Sequence, residues 1–463
     1  ETSLSLSSGY NNLYHFNPNY LTYKGGSTDF LGFDDGTRAI PAGTSFPLQG
    51  SALFNNNDYA RFNQVLTSFN PTMAAMQQNS LMDFSLGATY GNQKVVKEKY
   101  TIGYSVGADY KNNTTFYKDA LFARYGMYGE SERTELDLRQ QQIGNYGENS
   151  VLLSTFGGLS LKTKQSKYNL KALHLQNGES RAGVFDFIND DEGANFTGFQ
   201  HNLEYSQKQL TNVLLSGKHN FEERKLEVDW KVAGTKSVMN DPDVRLSQYQ
   251  RKGESFDMNT ESGFPQRIWR NMNENNLSSV LHFTKKFMIK ERDAKFKYGG
   301  AFTYKEREFL IQSFSIVLNN PNRSQFLTGD PNEIFSPNNL WTRNPDPNSL
   351  QTIYNPDFVP FNPNQFTANS MYSAGYASIE MEYIKNLKSV IGLRVEQFQQ
   401  RYTGRDQSGD NILNNTKVLD DFNLFPTVNL VYAVNDTQNI RFSYSKTIAR
   451  PSFKEMSFAD IVD

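Results

Sequence analysis

The chain has 463 residues, with 47 Lys and Arg against 49 Asp and Glu and no cysteine. A net charge of −2 lacks the clustered basic excess of a nucleic-acid binder, and the missing cysteine excludes disulfides, thiolate metal sites and a thiol nucleophile. Aromatic residues reach 14% in a chain only 37% hydrophobic: too many for a disordered polar chain, while no apolar run approaches the ~18 residues of a membrane helix. A transmembrane antiparallel β-barrel reconciles the two. Only every second residue of a strand meets lipid, the lumen is polar, and aromatic girdles mark both interfaces.

Alternation with period 2 predicts strands at 2–10, 18–32, 81–90, 98–110, 114–127, 149–163, 166–177, 194–206, 209–220, 224–238, 244–256, 274–287, 293–312, 367–385, 388–403, 422–434 and 438–447, about seventeen in all. The plainest run sets Tyr100, Ile102, Tyr104, Val106, Ala108 and Tyr110 against Thr101, Gly103, Ser105, Gly107 and Asp109. Leu226, Val228, Trp230 and Val232 alternate with Glu227, Asp229 and Lys231. Several runs reach the roughly 9–11 residues that a tilted strand needs to cross a bilayer.

Between the strands the sequence predicts long loops at 33–80, 128–148, 178–193, 257–273, 313–366 and 404–421. Tight turns alternate with them, as at Asn386-Leu387 and Asn435-Asp436-Thr437. Short turns on one side and long loops on the other are the rhythm of an outer-membrane barrel. Counting turns places 33–80 on the short-turn, periplasmic side. The loop 313–366 is dense in Pro and Asn, which forbids a regular ladder. Its Trp341, Tyr354, Phe358 and Phe361 suit ligand contact; the competing reading is that a large loop packs on its own side chains.

Five histidines, His15, His174, His201, His219 and His282, show no zinc spacing, and no nucleophile elbow, phosphate loop or dinucleotide fingerprint is present. The sequence therefore predicts no enzyme, no metal and no cofactor. Asp190-Asp191-Glu192 reads as a solvated loop, with an outer calcium site as the alternative.

Three segments resemble TonB-dependent outer-membrane receptors, in particular those of Bacteroidota. They are Gly25-Gly26-Ser27-Thr28-Asp29-Phe30-Leu31-Gly32-Phe33-Asp34-Asp35-Gly36-Thr37-Arg38-Ala39-Ile40-Pro41, then Asn240-Asp241-Pro242-Asp243-Val244-Arg245, and Asn439-Ile440-Arg441-Phe442-Ser443-Tyr444-Ser445-Lys446-Thr447-Ile448-Ala449-Arg450-Pro451-Ser452. Asn423-Leu424-Phe425-Pro426-Thr427 looks like the hairpin partner of the third. Asp29, Asp34 and Asp35 beside Arg38 offer charge-assisted bonds to one another or to a plug; Asp243 would pair with Arg245; Arg450-Pro451 would close a late strand. The resemblance implies a barrel of roughly 22 strands, an upstream plug and about five further strands outside this chain. It also implies active import of a nutrient such as an iron chelate, cobalamin, glycan or peptide. The partners implied are outer-membrane lipid and the TonB energising complex, with a surface lipoprotein or other envelope protein as a further one. A passive porin, a structural barrel in a larger complex and a soluble β-sandwich are the rival readings.

Overall fold

The computed structural model describes residues 1–41, 46–127, 134–191, 194–259 and 263–459. Their dominant feature is a 15-stranded antiparallel sheet, in which two short strands, Ser255–Asp257 and Thr352–Pro356, pair off the main path. The other thirteen are β1 (Thr2–Gly9), β2 (Asp83–Val96), β3 (Tyr100–Met127), β4 (Leu136–Lys162), β5 (Ser166–Asp191), β6 (Ala194–Phe221), β7 (Leu226–Lys252), β8 (Gln266–Ile289), β9 (Arg292–Leu318), β10 (Gln365–Ile384), β11 (Leu387–Arg405), β12 (Ile412–Asn435) and β13 (Gln438–Ser445). Each pairs with the next along the chain, so the sheet is an uninterrupted meander. The two ends of the path, β1 and β13, each pair on one side only among the described residues.

Strands β3 to β9 have 24 to 28 residues, roughly 80–95 Å along the strand. That is more than twice what a bilayer crossing needs, and it corrects several boundaries. The turn placed at 111–113 does not exist: Lys111 pairs with Leu152 and Asn113 with Ser150 inside β3 and β4. The segments 194–206 and 209–220 are one strand, as are 224–238 and 244–256. The loops placed at 128–148, 178–193, 257–273 and 404–421 are strand from residue 136, up to residue 191, from residue 266, and from residue 412 respectively. Residues 128–133, 192–193 and 260–262, with Glu192 of the acidic cluster, lie outside the described residues. Turn-forming side chains here are carried by bulges instead. Asp119 and Asp243 have φ of 52° and 61°, and the registers β3–β4 and β6–β7 shift by a residue beside them, as a β-bulge requires.

The segment 18–32 is not a strand of the wall. Only Leu21–Thr22 is extended, paired with Met76–Gln77, and Asp29–Leu31 is a single 3-10 turn. Two helices follow, α1 (Gln49–Phe54) and α2 (Asn56–Ser68). Asn55 caps α2 by accepting from the N–H groups of Asn57 and Asp58, the standard use of Asn at an N-cap. Joining 98–110 and 114–127 into β3 removes one crossing from the count and reverses the parity of everything before it. The turns 97–99, 163–165, 222–225, 290–291, 385–386 and 436–437 share one end of the meander, and the excursion 10–82 leaves from the other, with 319–364 and 406–411.

The main core lies where this excursion and the 319–364 connection press on the far halves of the strands. Phe62, Val65 and Leu66 of α2, with Phe69 and Met73, pack among Trp269, Phe314, Ile316, Trp341 and Tyr354. Phe62 stacks on Tyr354 at 4.7 Å and meets Trp341 edge-on at 5.5 Å.

Candidate functional site

Near the short-turn end the sheet has two chemically opposite faces. Tyr100, Ile102, Tyr104 and Val106 of β3 lie on one, opposite Leu161, Leu159 and Gly157 of β4. Further along, Phe283 stacks on Tyr298 at 4.9 Å, and Ile391, Leu393, Phe442 and Tyr444 continue the rows. Leu159 is 57% exposed and Val106 54%. Apolar rows of this extent mark an interaction with lipid or protein.

The opposite face carries ion pairs. Glu380 on β10 accepts from Lys388 at 2.9 Å, Lys297 at 3.2 Å and Lys295 at 3.4 Å. Glu274 on β8 holds Arg307 at 2.6 Å and Lys305 at 3.4 Å. Glu396 on β11 takes Arg394 at 2.7 Å and Tyr372 Oη at 2.6 Å. Arg181 reaches Glu148 at 2.9 Å and also Glu179, while Arg270 bridges Asp241 at 3.1 Å and Glu204 at 3.3 Å. His282 and Tyr376 are hydrogen-bonded at 2.8 Å on the same face. The ladder runs from β4 to β11, each carboxylate held by cations on its own or adjacent strands. Such a wall is suited to contact water and polar solutes while its back contacts hydrocarbon.

Arg450 belongs to this polar face. Strand β13 stops at Ser445, six residues before Pro451, and the following chain turns back over β9 to β11. Arg450 bonds Glu396 at 2.8 Å, Phe453 is buried beneath Arg307, and Tyr402 Oη accepts from the Phe458 N–H. The Arg-Pro pair thus does not terminate the ladder; it anchors a segment laid across the polar wall.

The other motif residues lie on the opposite face. Arg38 is buried, donating to Asp29 at 2.9 Å and Asp34 at 2.9 Å, with its guanidinium 4.2 Å from the Tyr205 ring. Asp35 stands apart: it accepts from Ser27 and Thr37 and closes its own turn. The Thr37 hydroxyl, then the Ser27 and Thr37 N–H groups, hold this exposed carboxyl well below the usual carboxylate range. Gly32 (φ 80°) is pressed against β5, where a Cβ on Gly178 would come within 2.5 Å of its Cα. Asp243, at the bulge, accepts from Arg245 and also from Arg267, which the sequence did not single out. All three are buried. The two arginines then clamp the excursion, Arg245 donating to Thr72 O at 2.7 Å and Arg267 to Asn70 O at 2.9 Å.

Register settles which face this is. Phe116 has the parity of Ile102 and Tyr110 in an unbroken stretch of β3, and Phe116 packs on Tyr20, Leu21 and Tyr23. The excursion therefore covers the continuation of the apolar-row face. Asp34 and Arg38 tie the excursion to that side, the Asp34 N–H donating to Gln207 and the Arg38 carbonyl accepting from Trp269, while Asp29 holds Arg38 in place and Asp35 serves only its own turn. Of the loop aromatics, Trp341 and Tyr354 are buried and serve packing. Phe358 is half-buried beside Val244, Ile268 and Ile311, and Phe361, 37% exposed, lies 4.6 Å from the Arg405 guanidinium.

Residues 341–458, which include β10 to β13, match the model of the outer membrane protein beta-barrel family. No curated protein matches the chain. Among solved structures, the outer membrane transporter YddB from Escherichia coli aligns at 6% identity over 77% of this chain and 62% of its own, with a TM-score of 0.14. This chain spans less than two thirds of that transporter's length. Two-faced strands long enough to cross a bilayer, an uninterrupted antiparallel meander and the family match over about the last quarter of the chain make it a wall of an antiparallel β-barrel in the bacterial outer membrane.

Proposed function

We propose that the protein is a TonB-dependent receptor of the outer membrane that imports a nutrient and performs no covalent chemistry of its own. The observation that supports it is the continuous ion-paired face from β4 to β11, backed by exposed apolar rows. A wall with paired charges along its full height suits a wide, wet lumen. In this reading a plug upstream of the chain fills that lumen, the long-loop end faces outward, and the inner-membrane TonB complex supplies energy through the plug. The loop surface around Phe358, Phe361 and Arg405 is the exposed aromatic region at the outward end. In this reading the plug lies beside the segment 446–459, which is seated on the polar wall through Arg450 and Phe453.

The test is proteoliposome swelling with the full-length protein and small sugars, alongside uptake in cells with and without TonB. A plugged importer gives little swelling, and growth on its nutrient is lost without TonB. Free swelling with TonB-independent uptake would favour a passive porin and sink this reading.

A further inference from the structure

We propose that residues 10–34 form a membrane foot, a part of the outward excursion that lies in the outer leaflet's interfacial zone and extends the aromatic girdle sideways. Tyr10, Leu13, Phe16 and Phe30 are 64%, 68%, 57% and 61% exposed, and Leu31 is 37% exposed. Its two carboxylates, Asp29 and Asp34, turn inward onto the buried Arg38, and Lys24 alone of its Lys, Arg, Asp and Glu residues is exposed. Apolar side chains outward and carboxylates inward invert the order expected of a loop in water.

Position supplies the occupant. Tyr110 Oη donates to Phe30 O at 2.6 Å. Tyr110 ends the apolar row begun by Tyr100, and its ring lies 5.6 Å from that of Phe84, itself on the apolar face of β2. Tyr14 packs on the Tyr20, Leu21 and Phe116 cluster of that face, while His15 is held by Asp83 at 3.2 Å, with the Tyr10 ring 6.1 Å from His15 and Phe16 6.2 Å from Tyr10. Leu31 precedes Gly32, whose carbonyl is held by Gln176, the β5 residue paired with Leu153, which is paired with Tyr110. The exposed side chains are thus fixed, by several hydrogen bonds, at the upper margin of the lipid-facing rows and on the same face. What is continuous with a lipid-facing surface is covered by lipid, and Tyr and Phe at that level behave as interfacial anchors.

This inference rests on the apolar rows facing lipid and is independent of transport. These 463 residues contain no cysteine, so single cysteines placed in them can carry a nitroxide in the full-length protein, cleared of any cysteine elsewhere and reconstituted into phospholipid vesicles. The sites are Phe30→Cys and Leu13→Cys, with Ile102→Cys as the belt reference and Phe54→Cys, 90% exposed on α1, as the water reference. Power saturation then compares access to oxygen, which partitions into lipid, with access to a water-soluble nickel chelate. The expected result is several-fold greater oxygen preference at 13 and 30 than at 54, approaching 102. Sites 13 and 30 matching 54 while 102 reads as lipid would overturn the foot alone. A water-like reading at 102 would overturn both the foot and the lipid-facing assignment beneath it.

Discussion

At the scale of single residues, the Asp243 cluster concentrates the highest stakes. One carboxylate serves Arg245 and Arg267, and all three are almost wholly buried. Removing its charge leaves two guanidiniums facing each other without a counter-ion. Asp243→Asn is expected to destabilise by about 3–5 kcal/mol, the range for breaking a buried pair from one side, measured by urea unfolding of the folded protein in lipid. Asp35 gives the contrasting case. Its carboxyl is exposed and its folded pKa is depressed, so its contribution is present above the ordinary carboxylate pKa and fades as pH falls through the folded one. The turn 27–37 is expected to keep its structure at mildly acidic pH and loosen only in strong acid. Amide-exchange protection of the Ser27 and Thr37 N–H groups across a pH series, compared with Asp35→Asn, checks the sign. Sequence inspection found Asp243 and Arg245 because they share a short motif. Arg267 was invisible because only the β7–β8 pairing brings it alongside Arg245.

At the scale of elements, strand type was legible and strand length was not. The lower half of each strand alternates apolar and polar, and that period is set by the backbone pleat. In the upper halves neither face meets lipid, so the alternation weakens and Asn, Asp, Gly and Lys appear, as at Lys111-Asn112-Asn113. Local turn preference points to a break there; pairing on both sides overrides it. The lower rows give a sharp expectation. Val106→Arg puts a charge in an apolar row and should cost about 2–4 kcal/mol near the bilayer midplane, read from the shift in urea midpoint in lipid vesicles. Ser105→Arg, on the opposite face of the same strand, should cost far less. Equal costs for both would overturn the assignment of faces.

At the scale of the whole molecule, turn parity decides orientation. The six short turns gather at one end, and outer-membrane barrels turn that end to the periplasm. Asn386 and Ser408 are exposed at opposite ends of β11. In intact cells, a membrane-impermeant maleimide is expected to label Ser408→Cys and to spare Asn386→Cys until the outer membrane is permeabilised. The reverse pattern would invert the molecule. This parity also explains why the excursion 10–82 was misplaced by counting turns: the false turn at 111–113 split β3 in two and shifted everything before it by one crossing, while a false strand was set inside the excursion at 18–32. That segment has the aromatic and β-branched content of a strand, with Tyr20, Leu21, Thr22 and Tyr23. It buries those side chains on Phe116, Ala182 and Leu203 of the wall and does not join the ladder.

The class of the molecule is written in the chain, because period-2 patterning, abundant aromatics and alternating short and long connections follow from local geometry and from the solvent on each side. For the motif charges the chain offers two partners, one another or a plug; in the fold Asp29 and Asp34 meet Arg38. Which face of the wall those charges lie on, the place of Trp341 and Tyr354 in a core and the tie from Arg450 to Glu396 emerge on folding. Each of those depends on contacts between residues tens to hundreds of positions apart, which strand register fixes and composition does not.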